Sequence, residues 1–277
     1  MSNLALRAAT AAVLVPLVVW GVLWAPTQVF AIGLALFVLA GAWEWADLAG
    51  YGLTGRVLFA LTVGLGLTLA QGFLRDPVFG FWVLGIALVW WLAALLWVVR
   101  FQAENPLPWL DHKAVRLPVG VLVLVPAWVA MSALHGSAGR GPEWVMLILL
   151  LVWGADTGAY FAGRRFGRRR LASRVSPGKT VEGVAGGLVV AAVISGAYGL
   201  WRLETHAAVV SLVLLGVVTA LASVLGDLTE SLVKRTAGRK DSGVLIPGHG
   251  GVLDRIDSLT AAAPVFVAGL AIGGTLH

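Results

Sequence analysis

Within the 31 residues from Asp227 to Asp257 stand five acids, five lysines or arginines and one histidine, in a chain of 277 residues that is 59% hydrophobic and only 12% charged. Ionisable groups packed beside apolar segments are costly to keep unless they pair or do chemistry. Asp227, Glu230, Ser231 and Lys234 recur at i, i+3, i+4 and i+7, with Ser223 one turn earlier, so one helix stripe carries two carboxyls, two hydroxyls and an ammonium. A solvated helix face with an intrahelical Glu230–Lys234 pair accounts equally well for those two residues. Asp227, at the edge of an apolar run, is harder to explain as idle surface. Lys234-Arg235 and, four residues on, Lys240-Asp241 supply the several fixed cations that suit a polyphosphate. Pro247-Gly248-His249-Gly250-Gly251 predicts a tight loop where backbone approaches a ligand. Asp254-Arg255-Ile256-Asp257 then opens the last apolar run with two carboxyls at i, i+3. Hard oxygen ligands beside phosphate favour Mg2+. His249 reads as a loop hydrogen-bonder within reach of substrate rather than as a metal ligand.

A second constellation lies between Asp156 and Gly183. Asp156 stands inside an apolar run, an intramembrane acid and hence a functional candidate, with Tyr160 one turn on. Arg164, Arg165 and Arg168 to Arg170 follow, then Ser176-Pro177-Gly178-Lys179-Thr180 and Glu182. Gly178-Lys179-Thr180 resembles the end of a phosphate-binding P-loop. That motif would need glycine at position 173, which is Ser173, and a preceding strand, so it is rejected. Lys179, bracketed by Pro177, Gly178 and Thr180, is nonetheless placed to meet phosphate. Arg168 to Arg170 read as topology and attraction to anionic lipid. Trp43-Glu44-Trp45 is read as an ordinary interfacial aromatic pair around an acid, without a role.

The elements that must position these groups are hydrophobic helices. A mean hydropathy of +0.89 and so little charge exclude a soluble domain, which carries about 25% charged residues. About 20 apolar residues cross a bilayer, and about nine runs qualify, several short enough to leave eight or ten open: 8–25, 27–43, 57–74, 78–99, 117–134, 144–162, 183–201, 207–226 and 258–275. The expected fold is therefore all-α and polytopic: a single membrane-embedded domain over 1–277, with N-terminal helices in 1–135 and a catalytic half in 136–277. Arg7 before the first run is not followed by a good signal cleavage site, so that helix is retained. With nine spans, 17 of the 20 lysines and arginines fall on one side, which makes that side cytoplasmic. The N-terminus and both polar segments are then cytoplasmic and the C-terminus outside. The net charge of +6 is explained by these loops rather than by nucleic acid. The absence of cysteine excludes disulfides, thiolate chemistry and Cys-ligated zinc. Gly183 and Gly187 have the small-xxx-small spacing of close helix contacts.

The run Ser231-Leu-Val-Lys234-Arg235, four residues, Lys240-Asp241, then Pro247-Gly-His249-Gly250-Gly251-Val-Leu-Asp254-Arg255-Ile-Asp257 resembles the signature of the phosphatidate cytidylyltransferases, the CDP-diacylglycerol synthases. Asp156…Tyr160…Gly163-Arg164…Phe166-Gly167 and Ser176-Pro177…Lys179-Thr180…Glu182-Gly183 are similar to further segments of that family. The resemblance implies a multi-pass enzyme of the cell inner (plasma) membrane that joins CTP to phosphatidate and releases pyrophosphate. It also implies a homodimer and a divalent cation, usually Mg2+, with one or two cations left open. Carried over by position, Asp227 and Asp254, with Glu230, would hold the metal. Lys234, Arg235 and Lys240 would face phosphates, and Asp257 would assist. Lys179, Ser176, Asp241, His249 and Arg255 are expected on the substrates. A transporter would also suit Asp156 and the glycine-broken helices, but the charged groups crowd one face instead of spreading to the midplane.

Overall fold

Backbone polar groups in a bilayer must be satisfied within the segment that carries them, so long apolar runs fold as helices. The computed structural model describes residues 3–74, 76–104, 112–246 and 250–273. Among them are nine helices: α1 (Asn3–Leu23), α2 (Thr27–Leu48), α3 (Leu53–Phe73), α4 (Pro77–Gln102), α5 (Lys113–His135), α6 (Gly141–Phe166), α7 (Val181–Arg202), α8 (His206–Thr236) and α9 (Leu253–Ile272). Eight are long and apolar enough to cross a membrane, and α1 contributes a shorter apolar stretch, Ala12–Leu23. The chain is an all-α polytopic membrane protein, with each helix on one of the expected runs.

Local chemistry sets the helix ends. Asp76 caps α4 by accepting the Val78 N–H at 2.9 Å, with Pro77 pre-setting the first turn. Thr180 and Thr205 do the same for α7 and α8. α8 runs ten residues past the expected end at Gly226, and that extension carries Asp227, Glu230 and Lys234. Among the described residues, one element lies outside the helical expectation, an antiparallel hairpin, β1 (Arg170–Ala172) and β2 (Ser176–Thr180), which pairs Arg170 with Thr180 and Ala172 with Ser176. Lys179 therefore sits on a strand rather than in an open loop.

The helices of the second half pack in sequence, α6 on α7, α7 on α8 and α8 on α9. Gly183 and Gly187 are spent on the first of these contacts. A Cβ at Gly187 would stand 2.7 Å from the Ala155 carbonyl oxygen, and one at Gly183 would stand 2.9 Å from that of Ala159. Their spacing thus serves a contact within the chain. Backbone cannot yield as a side-chain tip can, so Gly187→Ala is expected to cost about 1–3 kcal/mol. Tryptophan fluorescence during heating in detergent should show a midpoint lower by several degrees. An unchanged midpoint would mean that α6 and α7 are not packed this closely at Gly187.

The first half attaches through buried polar contacts. Trp45 Nε1 donates to the Arg116 carbonyl at 2.7 Å, the Arg116 guanidinium donates to the Leu48 carbonyl, and Trp128 Nε1 donates to the Ala31 carbonyl, all tying α2 to α5. At the opposite end of the bundle Arg202 pairs with Glu143, which also accepts from Tyr198, locking α6 to α7.

Candidate active site

Two connected zones contain Asp227, Glu230, Asp254 and Asp257 together with Lys179 and Lys234. The first is a cavity of about 610 Å3 between α6, α7, α8 and the hairpin, a volume typical of small-molecule sites. Asp156 from α6, Lys179 from β2 and Asp227 from α8 line it, with Arg164, Arg168 and Arg170 around them. Lys179 Nζ pairs with Asp227 Oδ2 at 2.7 Å, and Ser231 donates to Asp227 Oδ1 at 3.1 Å. Arg168 and Arg170, expected as topology signals, stand on the cavity wall. Arg170 also donates to the Pro177 carbonyl at 2.7 Å, bracing the hairpin across its own turn.

Glu182, in the first turn of α7, holds the approach to that hairpin. Its carboxylate accepts the N–H groups of Arg168 and Arg169 at 3.0 and 3.1 Å and pairs with the Arg169 side chain. The hairpin is pinned from the other side by Arg235, which donates to the Val175 carbonyl. Gln102, at the end of α4, donates to Ser173 and accepts from the Arg174 N–H. Arg235, expected on phosphate, thus spends at least one donor on positioning the strand that carries Lys179. Ser176 is the first residue of that strand and does not line the cavity.

The second zone is buried between α8 and α9. Lys234 Nζ lies 3.1 Å from Glu230 Oε2 and 2.7 Å from Asp254 Oδ1, and both Lys234 and Glu230 are buried. Asp254 Oδ2 accepts the N–H groups of Ser242 and Gly251 at 3.1 and 3.0 Å. Asp257 lies against Glu230 and near Asp227, which links the two zones. Lys240, Asp241 and Arg255 are exposed beside this zone, and Pro247, Gly248 and His249 lie outside the described residues.

The donor set bears on the metal. Among the described residues no three acids or histidines converge at ligand spacing. In this arrangement lysine ammonium groups occupy the positions between carboxylates. Yet four carboxyl groups, Asp227, Glu230, Asp254 and Asp257, face two ammonium groups, and Glu230 Oε1 is buried without a donor. Carboxylate oxygens in excess of the ammonium groups are the donor type that a hard divalent ion takes.

Glu44 is the residue that sequence reasoning missed. It is 2% exposed, and from α2 it reaches the start of α9. Its carboxylate accepts the N–H groups of Val252 and Leu253 at 3.1 and 2.8 Å and the Ser242 hydroxyl at 3.1 Å. A nearby α2 acid, Asp47, pairs with Arg56 and with Arg239 in the α8–α9 loop. The available signal was the one applied to Asp227, an acid at the edge of an apolar run; the flanking tryptophans obscured it.

Residues 5–272 match the model of the cytidylyltransferase family. The chain is 43% identical to the phosphatidate cytidylyltransferase of Pseudomonas aeruginosa over 95% of both sequences. It is 38% identical to that of Haemophilus influenzae over 86% of this chain and 88% of the relative. It is 36% identical to that of Brucella suis over 95% and 92%.

Proposed function

The chain belongs to the cytidylyltransferase family, and we propose that it transfers the cytidylyl group of CTP to phosphatidate, giving CDP-diacylglycerol and pyrophosphate. One observation carries the reading: the Lys179–Asp227 pair lies in an arginine-lined cavity adjoining the acid and lysine cluster of α8 and α9. A phosphatidate oxygen attacks the α-phosphorus of CTP. A new phosphorus–oxygen bond forms while the bond to the bridging oxygen of the pyrophosphoryl group breaks. The lipid phosphate is already an anion, so no base is needed to activate it. The difficulty is bringing two anions together and stabilising charge on the leaving group. Lys179, Arg164, Arg168 and Arg170 supply fixed cations around the cavity, and Asp227 orients Lys179. Lys240, Arg255 and His249 remain proposed substrate contacts, as do Ser176, Arg235 and Asp241.

Asp227 and Asp254, with Glu230, are the proposed holders of Mg2+. When bound, the ion supplies charge neutralisation at the reacting phosphates. Lys234 and Asp257 keep these carboxyls in place.

By the distribution of basic residues, the site and the N-terminus face the cytoplasm, where CTP is available, and the C-terminus lies outside the plasma membrane. The acyl chains stay in lipid. We take 1–277 as one catalytic domain that acts as a homodimer and has no nucleic-acid partner. Pyrophosphate release by the purified protein in detergent tests the reaction. It should require CTP, phosphatidate and Mg2+ together and fail with ATP. Release without lipid, or none from folded protein, would refute the reading.

A further inference from the structure

We propose that Glu44, on α2, is a positioning residue for the cytidylyl transfer, acting through Ser242 on Asp254. The inference rests on the reaction proposed above and gives the N-terminal half a part in it. The first amides of a helix have no partner inside it, and the residue preceding α9, Val252, offers no side-chain oxygen. The missing acceptor comes from another helix. Glu44 Oε1 takes the Val252 N–H, and Oε2 takes the Leu253 N–H. A carboxylate is also favourable at the positive end of the helix dipole.

A cap alone would end there, but this carboxylate continues into the site. Glu44 Oε2 accepts the Ser242 hydroxyl proton, and Ser242 Oγ in turn accepts the Asp254 N–H at 3.3 Å. The Ser242 N–H returns to Asp254 Oδ2. Backbone and side chain of Asp254 are thus both referred to Glu44 through one serine. That fixes the carboxylate against Lys234, and through Lys234 against Glu230 on α8. Two glycines make room for the arrangement. A Cβ at Gly243 would collide with Glu44 Oε1. One at Gly251 would lie 2.6 Å from Glu44 Oε2 and would collide with Ser242 Oγ.

The test compares Glu44→Gln and Ser242→Ala with wild type, by steady-state kinetics per folded molecule and by amide hydrogen exchange on the full chain in detergent. A displacement of about 1 Å in a positioned group can cost about a hundredfold. Glu44→Gln should therefore lower kcat by about 10- to 100-fold, with KM for CTP and phosphatidate within about threefold. Exchange should quicken about tenfold or more at Ser242, Val252 and Leu253 while α6 and α7 keep wild-type protection. Ser242→Ala should lower kcat similarly, with smaller changes at Val252 and Leu253, because Glu44 still holds those amides. Wild-type kcat in either variant would overturn the proposal. So would faster exchange spread evenly over the chain, which is the mark of a purely structural role. If wild type itself fails to turn over CTP with phosphatidate, the proposed reaction is what fails. The exchange comparison would then still decide whether Glu44 holds the α9 entry.

Discussion

Asp227→Asn is expected to reduce CTP- and phosphatidate-dependent pyrophosphate release by about 10^2- to 10^3-fold, the usual scale for losing one electrostatic group at a reacting centre. The protein should stay folded. The Asp227 side chain is 27% exposed at the cavity. Asparagine keeps its volume and an oxygen for the Ser231 hydroxyl, while the charge that orients Lys179 is lost. Thermal unfolding should move by no more than a few degrees. The same substitution at Asp254 separates the two acids. Both Asp254 oxygens are engaged by donors, namely Lys234 and the N–H groups of Ser242 and Gly251. An asparagine there must turn its own NH2 toward one of them, so Asp254→Asn should lose stability as well as turnover. Wild-type turnover in Asp227→Asn would remove that residue from the reaction.

That contrast marks what the sequence could and could not carry. Periodicity alone put Asp227, Glu230 and Lys234 on one stripe, because 3.6 residues per turn is a local rule, and the structure keeps them on one helix. Apolar runs likewise located every helix, because lipid leaves the backbone little choice. The division of labour between Asp227 and Asp254 was invisible, since it depends on which amides a loop folds back to offer. The partners of Glu44 were invisible for the same reason, being about two hundred residues distant. The hairpin escaped notice because its strands are only 3 and 5 residues long. It is held less by strand propensity than by Glu182, Arg235 and Gln102, each from a different helix. Arg168 and Arg170 looked like topology signals because charge composition cannot say which side of a helix bundle a cavity opens on.

Lys234→Met should have the largest effect on stability. The ammonium is buried between Glu230 and Asp254, and methionine fills similar volume without charge. Glu230 already has one buried oxygen without a donor; the substitution would strip the other as well. Removing one partner of a buried pair costs about 3–5 kcal/mol, because the remaining charge stays buried and unpaired. At about 2–4 °C per kcal/mol for a chain of this size, the midpoint should fall by roughly 10 °C, and turnover should be lost. A second substitution separates the cause from simple packing damage. If the unpaired acid is what destabilises, adding Glu230→Gln to Lys234→Met should recover part of the lost midpoint. Activity should remain low, because Asp254 still lacks the contact that fixes it and Glu230, a proposed Mg2+ holder, has lost its charge. A single variant as stable as wild type would mean that attraction and desolvation cancel in this pair. A double variant no more stable than the single would place the damage in packing instead. Recovery of stability in the double variant is the outcome that identifies Lys234 as the group holding the two carboxylates together across α8 and α9.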